Sequence, residues 1–172
     1  LDQNGRVIYV GSFSKSLFPG LRLGYLVGPE PFIREARALR ASVLRHPPGH
    51  IQRTVSYYLS LGHYDALVRR MSRAYHERRN VLEDALATHG LKVAGQGTYG
   101  GSSIWMQAPD GVDTTQLAHM LKDKGVLIEP GAPFFDGPNP PICYFRLAYS
   151  SIPTSRILEG VALIAKGINA LR

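Results

Sequence analysis

Residues 12–28 read SFSKSLFPGLRLGYLVG, and this stretch decides the fold that the sequence predicts. Its first part is rich in serine, glycine and proline, which is typical of a loop. The apolar run VIYVG at 7–11 precedes the loop, and GYLVG at 24–28 follows it. Neither run alternates polar and apolar residues, which favours strands buried on both faces of a mainly parallel sheet. The segment therefore predicts an α/β fold in which a loop with one lysine joins two strands.

The loop combines one amine, several hydroxyls and one guanidinium. A lysine between two buried strands indicates a site, because lysine normally prefers water and burial favours the neutral amine that attacks carbonyl groups. The hydroxyls of Ser12, Ser14 and Ser16 flank Lys15, and Arg22 follows seven residues after the lysine. Hydroxyls and a guanidinium can together hold a phosphate. The loop therefore predicts a ligand with both a carbonyl and a phosphate, as in pyridoxal 5′-phosphate. A bare S-x-S-K string would favour an ordinary surface turn, whereas the full string is much more specific.

The rest of the chain predicts a helical region followed by a small α/β unit. Helices are predicted over 29–45, 51–61, 63–89, 114–124 and 153–171, and strands over 91–94, 102–106, 126–128 and 143–149. Asp113 is the predicted N-cap of its helix, and Gly90 is the predicted residue after the end of the long helix. Arg78 interrupts the apolar stripe of that helix, which predicts a paired arginine or one whose stem lies along the apolar surface.

Composition narrows the class of protein. The chain has 172 residues, of which 44% are hydrophobic, so disorder is not expected. Its single cysteine, Cys143, excludes an intramolecular disulfide framework and is expected in the core of a strand rather than as a nucleophile. The six histidines lack metal-ligand spacing, so no metal site is predicted. No apolar run is long enough to span a membrane and no leader follows Leu1, so a cytoplasmic location is expected.

The net charge of +7 is unevenly distributed along the chain. Residues 1–90 carry 13 basic and 7 acidic side chains, whereas residues 91–172 carry 7 and 6. Such an asymmetry indicates an anionic partner, nucleic acid included, or else a solvated face or a surface that meets other parts of a longer protein. The charge pattern alone leaves these alternatives open.

The loop string as a whole resembles the lysine segment of fold-type-I pyridoxal-phosphate enzymes, the aspartate-aminotransferase-like family. The shared pattern is a strand, S-x-S-K, a short glycine-containing loop, R-x-G-Y and a second strand. GVLIEPGAPFF at 125–135 and YFRLAYSSIP at 144–153 resemble the C-terminal domain of that family. The pattern is most similar to the aminotransferase-like domain of MocR-type regulators, a branch of the GntR transcription factors. The implied fold is a partial fold type I: the end of the mainly parallel-sheet large domain and a small C-terminal α/β domain.

The resemblance also implies roles for individual residues. Lys15 would form the aldimine with pyridoxal 5′-phosphate, and Ser12, Ser14 and Arg22 would hold the phosphate of this cofactor. Arg146 matches the arginine that binds the α-carboxylate of the substrate, a task that suits a planar guanidinium because it offers two parallel hydrogen bonds. The alternative for Arg146 is an ordinary strand arginine in a surface ion pair.

Parts of the family pattern cannot be carried over. The string GGSSIW at 100–105 departs from the commonest pattern, so no specificity for the substrate side chain is implied. In the family, the glycine-rich phosphate turn, the ring that stacks on the pyridine and the aspartate that pairs with its nitrogen all precede the lysine strand. None of these can be placed in this sequence. Tyr25 follows R-L-G as in the family, and it is interpreted as a packing residue.

The resemblance implies three parts and leaves two functions open. Residues 1–62 would be the C-terminal part of the large cofactor domain, 63–89 a helix between domains and 90–172 the small domain. The first function is the effector-sensing domain of a MocR/GntR-type regulator. Such a protein would bind an amino acid or amine, form a homodimer and contact DNA only through an N-terminal domain outside this sequence.

The second function is a free-standing aminotransferase that transfers an amino group between an amino acid and a 2-oxo acid. The same residues would serve both functions, because both need the lysine, the phosphate ligands and the carboxylate arginine. A bare interaction domain without a cofactor is less favoured, since Lys15, Arg22 and Arg146 are all retained.

Overall fold

The computed structural model describes residue 2 and residues 4–95 and 100–172. Leu1, which the sequence analysis named when it considered a leader segment, lies outside the described residues. The described chain forms five α-helices, six strands and two short 3-10 helices, which confirms the predicted α/β class. It divides into two compact units, 1–70 and 71–172. Within the described ranges, no helix is both long and apolar enough to cross a membrane.

The first unit carries the lysine loop between two strands. Its elements are β1 (Tyr9–Ser12), a 3-10 helix (Pro19–Leu21), β2 (Gly24–Val27), α1 (Glu30–Val43), α2 (Gly49–Ser60) and the beginning of α3 (His63–Thr88). Its core consists of Phe13, Leu21 and Val55, each at most 8% exposed. Phe13 and Leu21 belong to the loop and Val55 belongs to α2, so burial of these side chains fixes the loop to that helix.

β1 and β2 pair antiparallel, with Ser12 opposite Gly24. The mainly parallel sheet that the sequence predicts can contain such an antiparallel pair at its edge. The connector at 13–23 is too short for the crossover between parallel neighbours, which takes roughly a dozen residues or more. Burial on both faces, which the sequence predicts for a complete sheet, is not seen for this pair within the described part of the chain. Val10 is 73% exposed and Val27 is 56% exposed, because the described sheet has only two strands.

The second unit contains a four-stranded antiparallel sheet. Its elements are the rest of α3, β3 (Lys92–Val93), β4 (Ser103–Gln107), α4 (Thr114–Lys122), β5 (Glu129–Pro130), a 3-10 helix (Ala132–Phe134), β6 (Tyr144–Ala148) and α5 (Thr154–Ala170). The strand order is β3-β4-β6-β5. Residues on β4 and β6 alternate between buried and more accessible positions, so one face of the sheet is turned to the core and the other is not.

The core of the second unit joins the buried face of the sheet to α3, α4 and α5. Met106 and Phe145 of the central strands are each 1% exposed. Leu117 of α4 is fully buried, and Gly167 lets α5 approach it, since a Cβ at this glycine would lie 2.8 Å from Leu117 Cδ1. Cys143 is buried in the same cluster, directly before β6, which confirms its predicted place in the core.

The long helix α3 confirms the helix predicted over 63–89. Arg78, which interrupts its apolar stripe, donates a hydrogen bond from Nη1 to the carbonyl oxygen of Ser150. The guanidinium carbon also lies 5.9 Å from the centroid of the Tyr75 ring, within the range of a cation–π contact. Of the two arrangements predicted for Arg78, the structure thus shows the paired one.

The division into compact units falls inside α3, between Arg70 and Met71. The sequence instead placed its boundaries at the two ends of the long helix. The assignment of 1–62 to a large cofactor domain, 63–89 to a connecting helix and 90–172 to a small domain stays a prediction.

The strand predicted over 126–128 is wrong. Gly125 has a φ of +76°, and the N–H of Val126 donates to the carbonyl oxygen of Leu121 at 3.0 Å. This bond is typical of a helix that ends at a left-handed glycine, so Val126 belongs to the end of α4. The strand β5 begins only where the chain pairs with β6. The same kind of helix end confirms the prediction for Gly90, whose φ is +63°.

Asp113 is confirmed as the N-cap of α4, because its side chain accepts hydrogen bonds from the N–H groups of Thr115 at 2.7 Å and Gln116 at 3.4 Å. We expect Asp113→Ala to lower the free energy of unfolding by about 0.5–2 kcal/mol, since these donors lose their acceptor. Asp113→Asn should keep most of the stability, because its amide oxygen can accept the same bonds. Urea denaturation measures both variants, and a wild-type midpoint for Asp113→Ala would contradict the cap.

Candidate functional site

The lysine loop begins and ends at the last rung of the β1–β2 ladder. Ser12 and Gly24 are the final register pair, and the N–H of Phe13 extends the ladder by donating to the carbonyl oxygen of Leu23 at 3.1 Å. Beyond this bond the chain turns, and the N–H of Leu17 donates to the carbonyl oxygen of Phe13 at 2.8 Å. The two ends of the loop are therefore held about one strand spacing apart.

Apolar and polar side chains of the loop occupy different environments. Phe13 and Leu21 are buried against Val55, and Leu17 and Leu23 are partly buried beside them. The predicted site residues share access to solvent. They are Ser12, Ser14, Lys15 and Arg22, of which Ser14 is half-buried and the others are exposed. Packing of the apolar side chains thus leaves the four predicted site residues accessible to solvent.

Lys15 lies on the loop between β1 and β2, as predicted, and its side chain is exposed in the described part of the chain. The strands on either side are themselves exposed, so they do not exclude water from the amine. The described part of the chain therefore supplies the amine and its position on the loop. It does not supply the desolvated environment that favours a neutral amine.

Local backbone geometry orients two of the predicted phosphate ligands. The N–H of Ser14 donates to Ser12 Oγ at 3.2 Å, which leaves the hydroxyl proton of Ser12 available for an acceptor. Arg22 follows the first 3-10 helix and has a left-handed backbone, with φ 49° and ψ 36°. This conformation is uncommon for a residue other than glycine, and such residues cluster at functional sites. The left-handed turn brings the chain from the short helix back into β2.

Ser16 provides an observation that fits a phosphate-bearing cofactor. Its Oγ is buried and has no hydrogen-bond partner within the described part of the chain. A buried hydroxyl without a partner costs roughly 1–3 kcal/mol, so it indicates a group that this hydroxyl can bind. With the other hydroxyls, the Arg22 guanidinium and the Lys15 amine, the loop offers donors for a phosphate and a nucleophile for a carbonyl. The residues present therefore fit pyridoxal phosphate. Ser16 was not among the predicted ligands, because its burial cannot be read from the local string.

Tyr25 is a packing residue, as predicted. Its ring centroid lies 5.3 Å from that of Phe13 and 5.9 Å from that of Tyr9. The ring covers its register partner Gly11, where a Cβ would lie 2.2 Å from Tyr25 Cζ. A hydrogen bond with Tyr9 raises the pKa of the Tyr25 phenol above its ordinary value, so this phenol stays protonated at neutral pH.

Arg146 lies on β6 in the second unit, on the face of the sheet that is turned away from the core. Its register partners are Trp105 of β4 and Glu129 of β5. Arg146 Nη2 forms an ion pair with Glu129 Oε2, and these two side chains are 45% and 48% exposed. The surface ion pair that the sequence left open for Arg146 is therefore present. The role of Arg146 toward a ligand carboxylate stays a prediction.

Aromatic rings surround Arg146. Its guanidinium carbon lies 5.2 Å from the centroid of the Phe134 ring. Trp105 stacks on Tyr144 with centroids 6.0 Å apart, and it meets the rings of Phe134 and Phe135 at 5.5 and 6.0 Å. Trp105 belongs to the string at 100–105 that departs from the family pattern. That string therefore places the central ring of an aromatic cluster beside the arginine.

Four of the five predicted site residues lie within one short segment of the first unit, at the end of β1 and on the loop that follows it. They are Ser12, Ser14, Lys15 and Arg22, whereas Arg146 belongs to the second unit. In the ranges 4–95 and 100–172 there is no group of three or more His, Cys, Asp or Glu side chains placed to hold a metal ion. The loop is thus the part of the described chain whose groups suit a covalently attached cofactor.

Comparison with known proteins agrees with this chemistry. Residues 1–161 match the family described as aminotransferase class I and II. The chain belongs to this family. It is 61% identical over 168 residues to the HTH-type transcriptional regulator TauR of Rhodobacter capsulatus, an alignment that covers 98% of this chain and 35% of TauR.

Solved structures show that this aminotransferase-family chain has part of the fold-type-I architecture. Pyrococcus horikoshii kynurenine aminotransferase matches with a TM-score of 0.83 at 30% identity. The match covers 98% of this chain and 42% of the kynurenine aminotransferase chain. The α-aminoadipate aminotransferase LysN of Thermus thermophilus, complexed with N-(5′-phosphopyridoxyl)-L-leucine, matches with a TM-score of 0.82 at 28% identity, covering 96% and 42%. The chain spans between 35% and 42% of the length of these three proteins.

Gly24 closes the lysine loop where a side chain does not fit. A Cβ on Gly24 would lie 2.7 Å from the backbone oxygen of Gly11, which cannot move aside as a side chain can. We expect Gly24→Ala to lower the free energy of unfolding by about 1–3 kcal/mol. Gly20→Ala, in the same loop, should have little effect because its Cβ would lie 3.6 Å from Phe18 Cδ2, an ordinary contact. Urea denaturation compares the two variants, and equal stabilities would show that the close approach does not hold the loop.

Proposed function

We propose that this chain is the pyridoxal-phosphate-binding, aminotransferase-like part of a MocR/GntR-type transcriptional regulator that senses an amino acid or amine. The observation that carries the proposal is the identity of 61% to the regulator TauR, compared with 30% and 28% to the two aminotransferases. The proposal includes a homodimer, a cytoplasmic location and DNA contact through an N-terminal domain outside this sequence.

In the proposed site, the residues of the loop and of β6 have separate tasks. Lys15 Nζ attaches the cofactor, while Ser12 and Ser14 donate hydroxyl hydrogens to its phosphate and Arg22 donates two parallel N–H bonds. When bound, pyridoxal phosphate supplies an electron sink for the bonds at the α-carbon of an amino acid. Arg146 binds the acid group of the ligand, and its planar guanidinium fixes the direction of that group as well as its charge.

A free-standing aminotransferase is the second candidate. It is supported by the aminotransferase folds of the two solved structures and by the presence of the proposed lysine, phosphate ligands and carboxylate arginine in one chain. The full-length protein separates the candidates. A regulator should bind DNA from the region upstream of its own gene, with an affinity that changes when pyridoxal phosphate and an amino acid are added. Transfer of amino groups to 2-oxo acids at ordinary enzymatic rates, without DNA binding, would favour the enzyme.

The role of Lys15 can be tested by substitution in the full-length protein. We expect Lys15→Ala to abolish the visible absorbance of covalently attached pyridoxal phosphate, because no other amine of the loop can replace Nζ. Lys124→Ala removes an exposed lysine of the second unit and should leave the absorbance unchanged. Borohydride reduction followed by peptide mass spectrometry should locate the pyridoxyl group on Lys15. An unaltered absorbance in Lys15→Ala would refute the assignment.

Substitution of Arg22 should weaken the binding of pyridoxal phosphate without preventing its covalent attachment to Lys15. Arg22→Leu removes a charge-assisted contact to the phosphate that is worth about 1.5–3 kcal/mol in total, so affinity for pyridoxal phosphate should fall roughly ten- to a hundredfold. Arg22→Lys keeps the charge without the planar fork and should fall between wild type and Arg22→Leu. Spectroscopic titration of the cofactor-free protein measures the dissociation constants. If Arg22→Leu binds the cofactor as tightly as wild type, the phosphate lies elsewhere.

A further inference from the structure

Glu129 lies where the acid group of a ligand would meet Arg146. β5 pairs with β6 so that Glu129 is directly opposite Arg146. Directly opposite residues of an antiparallel pair project from the same face and lie close together. The carboxylate Oε2 of Glu129 contacts Nη2 of Arg146. The chain thus places a carboxylate of its own on the arginine that the proposed function assigns to a ligand carboxylate.

The backbone around Glu129 is held firmly against β6. The N–H of Gly131 donates to the carbonyl oxygen of Tyr144 at 2.7 Å, and a Cβ at Gly131 would lie only 2.5 Å from the same oxygen. Pro130 lies opposite Phe145, which is 1% exposed in the core. The backbone position of Glu129 opposite Arg146 therefore follows from strand register and core packing.

The atom that Glu129 contacts is important for any ligand. A carboxylate binds a guanidinium most strongly through two parallel N–H bonds along one planar edge. The available edges are Nη1 with Nη2 and Nε with Nη2, so Nη2 belongs to both. The Phe134 ring lies against the guanidinium, with its centroid 5.2 Å from Cζ of Arg146. Glu129 consequently adjoins whichever edge an incoming acid uses.

The ion pair is weak enough to be exchanged. The two side chains are 45% and 48% exposed, and pairs with such access to water contribute little. A ligand acid can therefore bind Arg146 by displacing Glu129 or by sharing the guanidinium with it. In either case the negative charge of Glu129 opposes the acid, and it opposes a ligand with two acid groups more strongly than a ligand with one.

We propose that Glu129 is a specificity-determining residue, which weakens the binding of acids to Arg146 and discriminates against ligands that carry a second acid group. The ligand class that fits is a monoacid whose remainder is neutral or cationic. This inference rests on the proposed role of Arg146.

Pentanoate and glutarate are suitable probes for the full-length protein loaded with pyridoxal phosphate. Both have five carbons, neither has an amino group that could react with the cofactor, and they differ by one terminal carboxylate. Calorimetric titration should show that Glu129→Gln binds pentanoate up to about fivefold more tightly than wild type, which corresponds to about 1 kcal/mol. The gain for glutarate should be larger.

A matched control separates the local effect from the change in net charge. Glu159→Gln removes one negative charge from an exposed position on α5, a helix that packs on the opposite face of the sheet from Arg146. It should leave both affinities close to those of wild type. A gain in Glu159→Gln equal to that in Glu129→Gln would overturn the local role of Glu129.

Arg146→Gln distinguishes failure of this inference from failure of the proposed function. If Arg146→Gln binds both acids as wild type does, Arg146 is not their ligand, and both proposals fail at this residue. If Arg146→Gln loses binding while Glu129→Gln keeps wild-type affinities, or gains equally for the two acids, the specificity role is wrong. In that case the role of Arg146 stands. Because Glu129→Gln is isosteric and half-exposed, circular dichroism should show an unchanged fold.

Discussion

The close contact between β1 and β2 is the constraint on which the lysine loop depends. A Cβ at Gly24 would meet the backbone oxygen of Gly11 at 2.7 Å, and the Tyr25 ring covers Gly11 from the side, so only glycines permit this approach. The contact fixes both ends of the loop, and the burial of Phe13 and Leu21 with Val55 packs the loop against α2. Because the apolar side chains of the loop are buried, Ser12, Lys15 and Arg22 remain exposed and Ser14 half-buried, whereas the hydroxyl of Ser16 is buried.

In the second unit, the alternation of side chains along β6 decides that Arg146 is exposed. Phe145 and Leu147 enter the core, so Arg146 between them must project from the other face of β6. Cross-strand register then decides its neighbours, which are Trp105 on one side and Glu129 on the other. Exposure of the arginine is therefore a consequence of how the core is built. The same alternation makes its neighbours aromatic and acidic, the combination that can orient a guanidinium without burying it.

The sequence predicted the features that depend on neighbouring residues, and it missed those that depend on contacts between distant parts of the chain. Local sequence patterns identified three features that depend on neighbouring residues: the Asp113 cap, Gly90 after the end of α3 and the loop that carries Lys15. The lack of alternation in β1 and β2 indicated a mainly parallel sheet without giving the direction of this pair, whose antiparallel pairing fits the short connector. The buried hydroxyl of Ser16 and the ion pair of Glu129 depend on packing and on register between separate strands. No local pattern contains that information.

The two interpretations of Arg146, a surface ion pair and a ligand for an acid, are compatible on energetic grounds. An exposed pair contributes at most about 1 kcal/mol, whereas hydrogen bonds to charged groups contribute about 1.5–3 kcal/mol each. If Arg146 binds an acid as proposed, an acid that makes two parallel N–H bonds would compete with an ion pair whose own contribution is small. Before it binds, Glu129 and the Phe134 ring restrict the rotation of the guanidinium, so less side-chain entropy is lost on binding. On the proposed role of Arg146, the ion pair would orient the guanidinium for an acid and also lower the affinity for that acid, and the balance of these two effects would decide which acids bind.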